Sequence, residues 1–231
     1  MNRRGMIELA VAAAAAEVLV YLAWRPRMLR WGATDREATE PLPGDDLEPT
    51  PLTQSTRAIT IEAPPEQVWP WIVQMGSDRA GFYTHEWVER PLGIHYLDGH
   101  SATRIHPELQ DLKVGDRFAY GGGAMVEVYE MERFKHLVHA EAFILRPLPG
   151  GCTRLIVRYR GNGYIRPAVH AVAPDAPLPA RALRATVEHV PGLDLAIRGF
   201  DFFVADPLHH YMETGMLQGI KARAERRAPT S

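Results

Sequence analysis

Histidines and acids stand at a few places in this sequence where their types and spacing can do chemistry. His209, His210 and Glu213 form His-His-x-x-Glu, with His209 and Glu213 four apart and so on one helix face. Two imidazoles and a carboxylate can ligate zinc or iron. Adjacent histidines, however, point about 100° apart on a helix, so they rarely converge on one ion. His209 borders an apolar stripe, so a single cavity-facing imidazole is a better reading than a metal ligand, with a packed or surface histidine as the plainer alternative. His139 and Glu141 alternate with Leu137, Phe143 and Leu145, which would put both on one strand face, as polar handles for a ligand if that face lines a cavity and as ordinary surface groups if it meets solvent. Arg79 and Tyr83 could orient a carbonyl or carboxylate, with Glu86 or Glu89 as a base. The same four residues could equally be an ion-pair network pinning two short helices.

Other constellations fail on inspection. His85-Glu86-Trp87-Val88-Glu89 lacks the second histidine of a metalloprotease helix. Gly121-Gly122-Gly123 has no lysine to complete a phosphate loop, and neither G-x-S-x-G nor a dinucleotide fingerprint occurs. Cys152 is the single cysteine, so an intrachain disulfide and a cysteine zinc site are both excluded. No metal and no cofactor is expected.

The elements that must position these residues follow from patterning. The chain has 231 residues, with 26 Lys+Arg against 28 Asp+Glu and a formal charge of -2. Without a basic cluster, nucleic acid is not an expected partner. Residues 1–30 form an apolar helix, nearly uninterrupted over 6–24 and flanked by Arg3, Arg4, Arg25, Arg27 and Arg30. Its length almost crosses a bilayer core, but Glu8 and Glu17 oppose insertion. A membrane anchor, a packed or interfacial helix, and a cleaved signal all stay open. Residues 31–55, rich in proline and acids, read as a linker.

One folded domain is expected over 56–228. Ile59 and Ile61 alternate as a half-buried strand, and Pro64-Pro65-Glu66 opens a helix with Val68, Trp71, Ile72 and Met75 on one face. That helix is expected to be short or kinked because of Pro70, and to be capped by Gly76. A second short helix is expected over 84–92, with Thr84 as N-cap. Strands follow at 116–120 and 124–131 around the triple glycine, then at 136–145 as a strand or bent pair. Over 152–160, Leu155, Val157 and Tyr159 face inward, with Ile156 an apolar exception on the outer side. Residues 161–199 are an insertion with one or two short helices around 180–189. The last helix carries Leu208, Tyr211, Met212, Gly215, Met216, Gly219 and Ile220 on one face, with Glu213 off it. Two glycines there imply close approach to a sheet or room for a ligand.

This order, with the run 59–69 at the strand-to-helix entry, Gln74-Met75-Gly76, Arg79-Ala80-Gly81-Phe82-Tyr83, Trp87-Val88-Glu89-Arg90, the stretch 110–116 and Met216-Leu217-Gln218-Gly219-Ile220-Lys221, resembles the START/polyketide-cyclase-like (SRPBCC) superfamily. The resemblance covers roughly 56–160 and 200–226, and Trp31-Gly32-Ala33-Thr34 after an apolar leader is similar to a bacterial subgroup of it. It implies an α+β helix-grip fold: a curved antiparallel sheet wrapped around a long C-terminal helix, two short helices after the first strand, and a ligand cavity between sheet and helix. Members bind lipids, sterols, polyketides and other apolar molecules, and share no catalytic residue.

The expected function is therefore to hold a small hydrophobic ligand, as carrier or sensor. One alternative is a cyclase/aromatase-type enzyme using Tyr83, His139 or His209 as proton shuttle and Arg79 as oxyanion partner. Another is a non-catalytic interaction domain with a filled core. The expected lining residues are Trp71, Arg79, Phe82, Trp87, Glu141, Phe143, Tyr159, Tyr211, Met212 and Met216. The oligomeric state is not set by the sequence.

Overall fold

The computed structural model describes residues 3–121, 124–164 and 192–226, with Leu178, Ala182, Thr186 and Val190 as isolated positions between them. The short helices expected around 180–189 thus fall outside the described residues, those isolated positions aside.

Helix α1 (Arg3–Leu29) leads into a short α2 (Asp35–Thr39), then strand β1 (Thr53–Ile61), helix α3 (Pro65–Val73) and one turn of helix, α4 (Glu86–Glu89). Strands β2 (Arg117–Gly121) and β3 (Ala124–Glu127) pair as a separate ribbon. Strands β4 (Glu130–Glu132), β5 (His136–Val138), β6 (Ala142–Leu148) and β7 (Cys152–Gly161) follow. Helix α5 (Leu193–Phe200), a π-helical turn (Asp201–Ala205) and the long α6 (Asp206–Ala224) end the described chain. The main sheet runs β1-β7-β6-β5-β4, antiparallel throughout. Helices α3 and α6 pack against its inner face. This is the helix-grip arrangement.

Period-two patterning builds two cores on the two faces of one sheet. Ile61, Phe143, Leu145, Leu155 and Val157 point inward, against α3 and α6. Ala58, Ala142, Ile144 and Ile156 point outward, yet they are buried with Leu42 and Val138 in a second cluster. The outward Ile156 is explained by what covers it. Residues 34–48, read from sequence as a linker, form a strap over the outer face. Thr34 and Glu37 make a reciprocal capping box on α2. Arg154 Nε then donates to Glu37 Oε1 at 2.8 Å, Arg146 Nη1 to Glu40 Oε1 at 2.6 Å and Arg158 Nη1 to Asp45 Oδ2 at 2.7 Å. The acids that suggested a solvated linker are the partners of a row of outward-facing arginines.

Several boundaries differ from expectation. Of the two forms expected for 136–145 the bent pair is present, a hairpin β5–β6, but its turn runs through His139 and Glu141, so these two do not share a strand face. The helix α3 stops at Val73 with Gln74 as its C-cap, and Gly76 pairs instead with Gly81 across a tight loop. The expected 84–92 helix shortens to α4, with His85 rather than Thr84 preceding it and no side-chain cap. On α6 the buried positions are Asp206, Glu213, Met216, Leu217, Ile220 and Ala224, while Leu208 and Tyr211 are exposed. Gly215 and Gly219 do allow a close approach, but to the loop before α4 rather than to the sheet or a ligand. A Cβ on Gly219 would overlap the Tyr83 carbonyl oxygen, and one on Gly215 would meet Thr84 Oγ1 and the His85 ring.

Candidate functional site

A cavity of about 280 Å³ lies between α6 and the concave side of the domain. Four residues of α6 at i, i+3, i+4 and i+7, His209, Met212, Glu213 and Met216, form one wall. Phe82 and Thr84 from the loop after α3, Leu92 and Ile94 beyond α4, Tyr120 and Gly121 at the end of β2, and Glu141 complete it. Leu92 is half exposed at the rim. Most of the wall is apolar.

The polar groups gather at one place. His209 Nε2 lies 2.9 Å from Glu141 Oε1 and His209 Nδ1 lies 3.3 Å from Glu213 Oε2, so each ring nitrogen faces a carboxylate. Tyr120 donates its hydroxyl to Glu141 Oε2 at 3.0 Å. Behind the wall, Arg57 on β1 donates Nη1 to Glu213 Oε2 and, at 3.0 Å, to Ser55 Oγ. Arg57 Nε donates to His210 Nδ1 at 3.2 Å. Tyr159 and Tyr164 stack on each other at 5.0 Å and both lean on the His209 ring.

Burial splits the two carboxyls. For Glu213 it dominates and raises the pKa above the ordinary carboxylate range, with Arg57 opposing and the Glu141 charge adding to the rise. For Glu141 burial pushes the same way, but the His209 bond and charge, the His139 charge and the Tyr120 bond together hold it below its usual value. Burial and the Glu141 charge push the Tyr120 phenol well up, so it stays a donor. His139 sits behind this end, ringed by Phe118, Tyr120 and Phe143, and burial lowers it to about 4. Burial and the Arg57 charge likewise lower His210 to about 4.

Two carboxyls pushed apart and bridged by an imidazole can serve as acid and base on one bound molecule. Glu141, His209 and Glu213 also offer one ligand atom each, all within 4.8 Å of one another. Arg57 already supplies positive charge to Glu213, which works against a cation in the same place.

Of the residues expected from sequence to line the cavity or act in it, Phe82, Glu141, His209, Met212 and Met216 come together here. The others are placed elsewhere. Tyr83 is buried in the α3–α4 junction, donating to the Trp71 carbonyl at 2.9 Å and accepting from Gln74 Nε2 at 2.9 Å. Arg79 donates to the carbonyls of Met75 and Val73 at the end of α3, both at 3.0 Å. Glu89 accepts from Tyr96 Oη at 2.7 Å and Glu86 from the Ser101 amide at 2.8 Å, so these residues are held in separate structural contacts away from the cavity lining. Trp71 and Phe143 belong to the core, Trp87 and Tyr211 are exposed at the surface, and Tyr159 and His139 back the cavity-lining residues.

The sequence reading missed Arg57, Tyr120, Tyr164, Leu92 and Ile94, and set Glu213 off the buried face, where it is 3% exposed. One signal was present for Arg57. It shares the inward register of Ile59 and Ile61, and a charge in that register requires a partner.

No protein-family model matches the sequence, and no curated protein matches it. Solved structures give partial likenesses. A protein from Mesorhizobium loti is 15% identical with a TM-score of 0.34, over 76% of this chain and 99% of that one. A polyketide-cyclase-like protein from Corynebacterium glutamicum is 16% identical with a TM-score of 0.31, over 71% and 97%. A protein from Chromobacterium violaceum is 14% identical with a TM-score of 0.29, over 62% and 96%. Likenesses this partial carry no functional argument.

Proposed function

We propose that the domain is an SRPBCC-type binding module that holds a small, largely apolar molecule against α6, with the molecule's polar end at the Glu141–His209–Glu213 cluster. The observation that carries this is the meeting of apolar walls with a buried polar cluster in one cavity of about 280 Å³, close to the lower end of small-molecule pockets, about 300 Å³. Glu213 Oε1, buried in that wall, has no hydrogen-bond partner among the described residues, as expected of a group that meets a ligand.

A second reading is supported by the opposite displacement of the two carboxyls: a cofactor-independent enzyme of the cyclase/aromatase type, with Glu213 as acid, Glu141 as base and His209 between them.

Native mass spectrometry of the full chain in mild detergent, followed by denaturing extraction, tests both. A retained molecule with one polar end supports the binding module. The same molecule recovered chemically altered by the wild type, but intact from His209→Gln, supports the enzyme. Empty protein that is unchanged in Tm across fatty acids, sterols and aromatic polyketides rejects both in favour of a non-catalytic interaction domain.

A further inference from the structure

The helix α1 has two parts in different surroundings. From Tyr21 onward it is docked on the domain. Tyr21 Oη donates to the Phe202 carbonyl, Arg25 Nε donates to Asp206 Oδ2 at 2.9 Å, the Trp24 ring meets His210 edge-on at 5.7 Å, and Met28 is buried. These contacts run in register along the π turn and the first turns of α6. The helix therefore leaves the domain past Phe202, at the N-terminal end of α6.

Before Tyr21 the helix continues without a break, and Met6, Ile7, Leu9, Val11, Val18, Leu19 and Val20 are all exposed. The whole helix, Arg3–Leu29, is long and apolar enough to cross a membrane, and its apolar window is not buried against the domain. The stretch between Arg4 and Tyr21, residues 5–20, measures about 24 Å, a few ångströms under the ~30 Å of a bilayer core. Its two acids lie toward the ends: Glu8 pairs with Arg4 at 3.0 Å, and Glu17 is one turn before Tyr21. Arginines stand at both ends, and Tyr21 and Trp24 take the place of interfacial aromatics.

No linker separates this stretch from the docked one, so whatever surface surrounds the exit point is held against the bilayer. Beside the exposed Asp194–Arg198 ion pair of α5, that surface carries a run of exposed apolar side chains. Leu195 and Phe200 of α5, Phe203 and Val204 of the π turn, and Leu208 of α6 are exposed there, Leu195 by 75%. We propose that α1 spans a lipid bilayer and that this α5–π-turn face is seated in its headgroup–acyl boundary. The ion pair of Arg25 with the buried Asp206 fixes the span to α6 itself. The cavity begins at His209, one turn further on, so its polar end is held beside the lipid. This placement stands whether or not the cavity is occupied.

The test uses the full chain in phosphatidylcholine vesicles with brominated acyl chains. A single cysteine, on a Cys152→Ser background, carries an environment-sensitive fluorophore at Leu9→Cys, Leu195→Cys, Phe203→Cys or Pro149→Cys. Pro149 lies in the β6–β7 turn, at the far end of the sheet from the exit point. The expected result is blue-shifted, bromine-quenched emission at 9, 195 and 203 and water-like, unquenched emission at 149. Quenching at 9 alone overturns the seated face. No quenching at 9 overturns the span. A blue shift at 195 and 203 without bromine quenching overturns the lipid contact in favour of a second copy of the chain.

Discussion

Arg57 and Glu213 form an ion pair sealed between β1 and α6, with both side chains at most 1% exposed. The pair joins the first strand to the last helix, and Glu213 belongs at once to this pair and to the cavity wall. Taking both charges out of water is costly, and neither is tolerable alone. Glu213→Ala is expected to cost about 3–5 kcal/mol, because it strands the Arg57 charge, and Arg57→Ala less, because Glu213, already raised by burial, takes up a proton. Arg57→Met with Glu213→Leu is expected to recover most of that loss. Urea unfolding of the four proteins measures it; a double variant as unstable as the singles would show that shape rather than charge decides the site.

The histidine behind the cavity gives a pH dependence of known sign. His139 is held neutral to about 4 by burial, whereas the unfolded chain takes up the same proton near 6.5. Between those values the unfolded state binds more protons, so stability falls as pH falls from about 6.5 to about 4 and levels below that. A shift of that size is worth about 3 kcal/mol across the window. His210, also lowered to about 4, acts in the same direction with less weight because it is only part-buried. Glu213, raised by burial, acts oppositely. The stability gap between wild type and His139→Gln isolates the one residue. It is expected to narrow between pH about 7 and pH about 4.5 in chemical denaturation, and a constant gap would remove His139 as a titrating group.

Much of the architecture was legible because it rests on local periodicity. The alternation in β1 and β7, the entry prolines of α3 and the apolar face of α6 follow from backbone geometry alone. The candidate site was half legible. His209, Met212 and Met216 share one helix face, so spacing finds them. Glu141 was found by the wrong route: it lies in a hairpin turn, not on a strand face with His139. What escaped depends on contacts distant in sequence. Acids in the 34–48 strap look like a solvated linker until the arginines of β6 and β7 are set opposite them. Tyr83 looks like a proton donor until its hydroxyl is seen between Gln74 and the Trp71 carbonyl.

Gly219 should resist even a methyl group. Alanine there would favour helix by about 1 kcal/mol. Its Cβ, however, would overlap the Tyr83 carbonyl oxygen, a backbone atom whose residue already holds a left-handed conformation, φ 61°. A net loss of about 1–3 kcal/mol is expected, typical of overpacking. Gly215→Ala meets the Thr84 hydroxyl and the His85 ring, which can turn aside, so its loss should be smaller. Thermal unfolding ranks the two; the reverse order would show that the loop before α4 moves as a whole.

Met212→Trp separates a ligand cavity from a packing defect. Met212 is part-buried in the wall, one helical turn from both His209 and Met216, and an indole there would project into the cavity and narrow it. If the space is a packing defect, filling it should stabilise the fold by about 0.5–2 kcal/mol and change nothing else. If it holds a molecule, the variant should keep or raise the Tm of the stripped protein yet retain at least tenfold less of the co-purifying compound. His209→Gln leaves the apolar walls intact, so it should weaken retention less than Met212→Trp while altering which polar end is accepted. Equal retention by wild type and Met212→Trp would place any bound molecule outside this cavity.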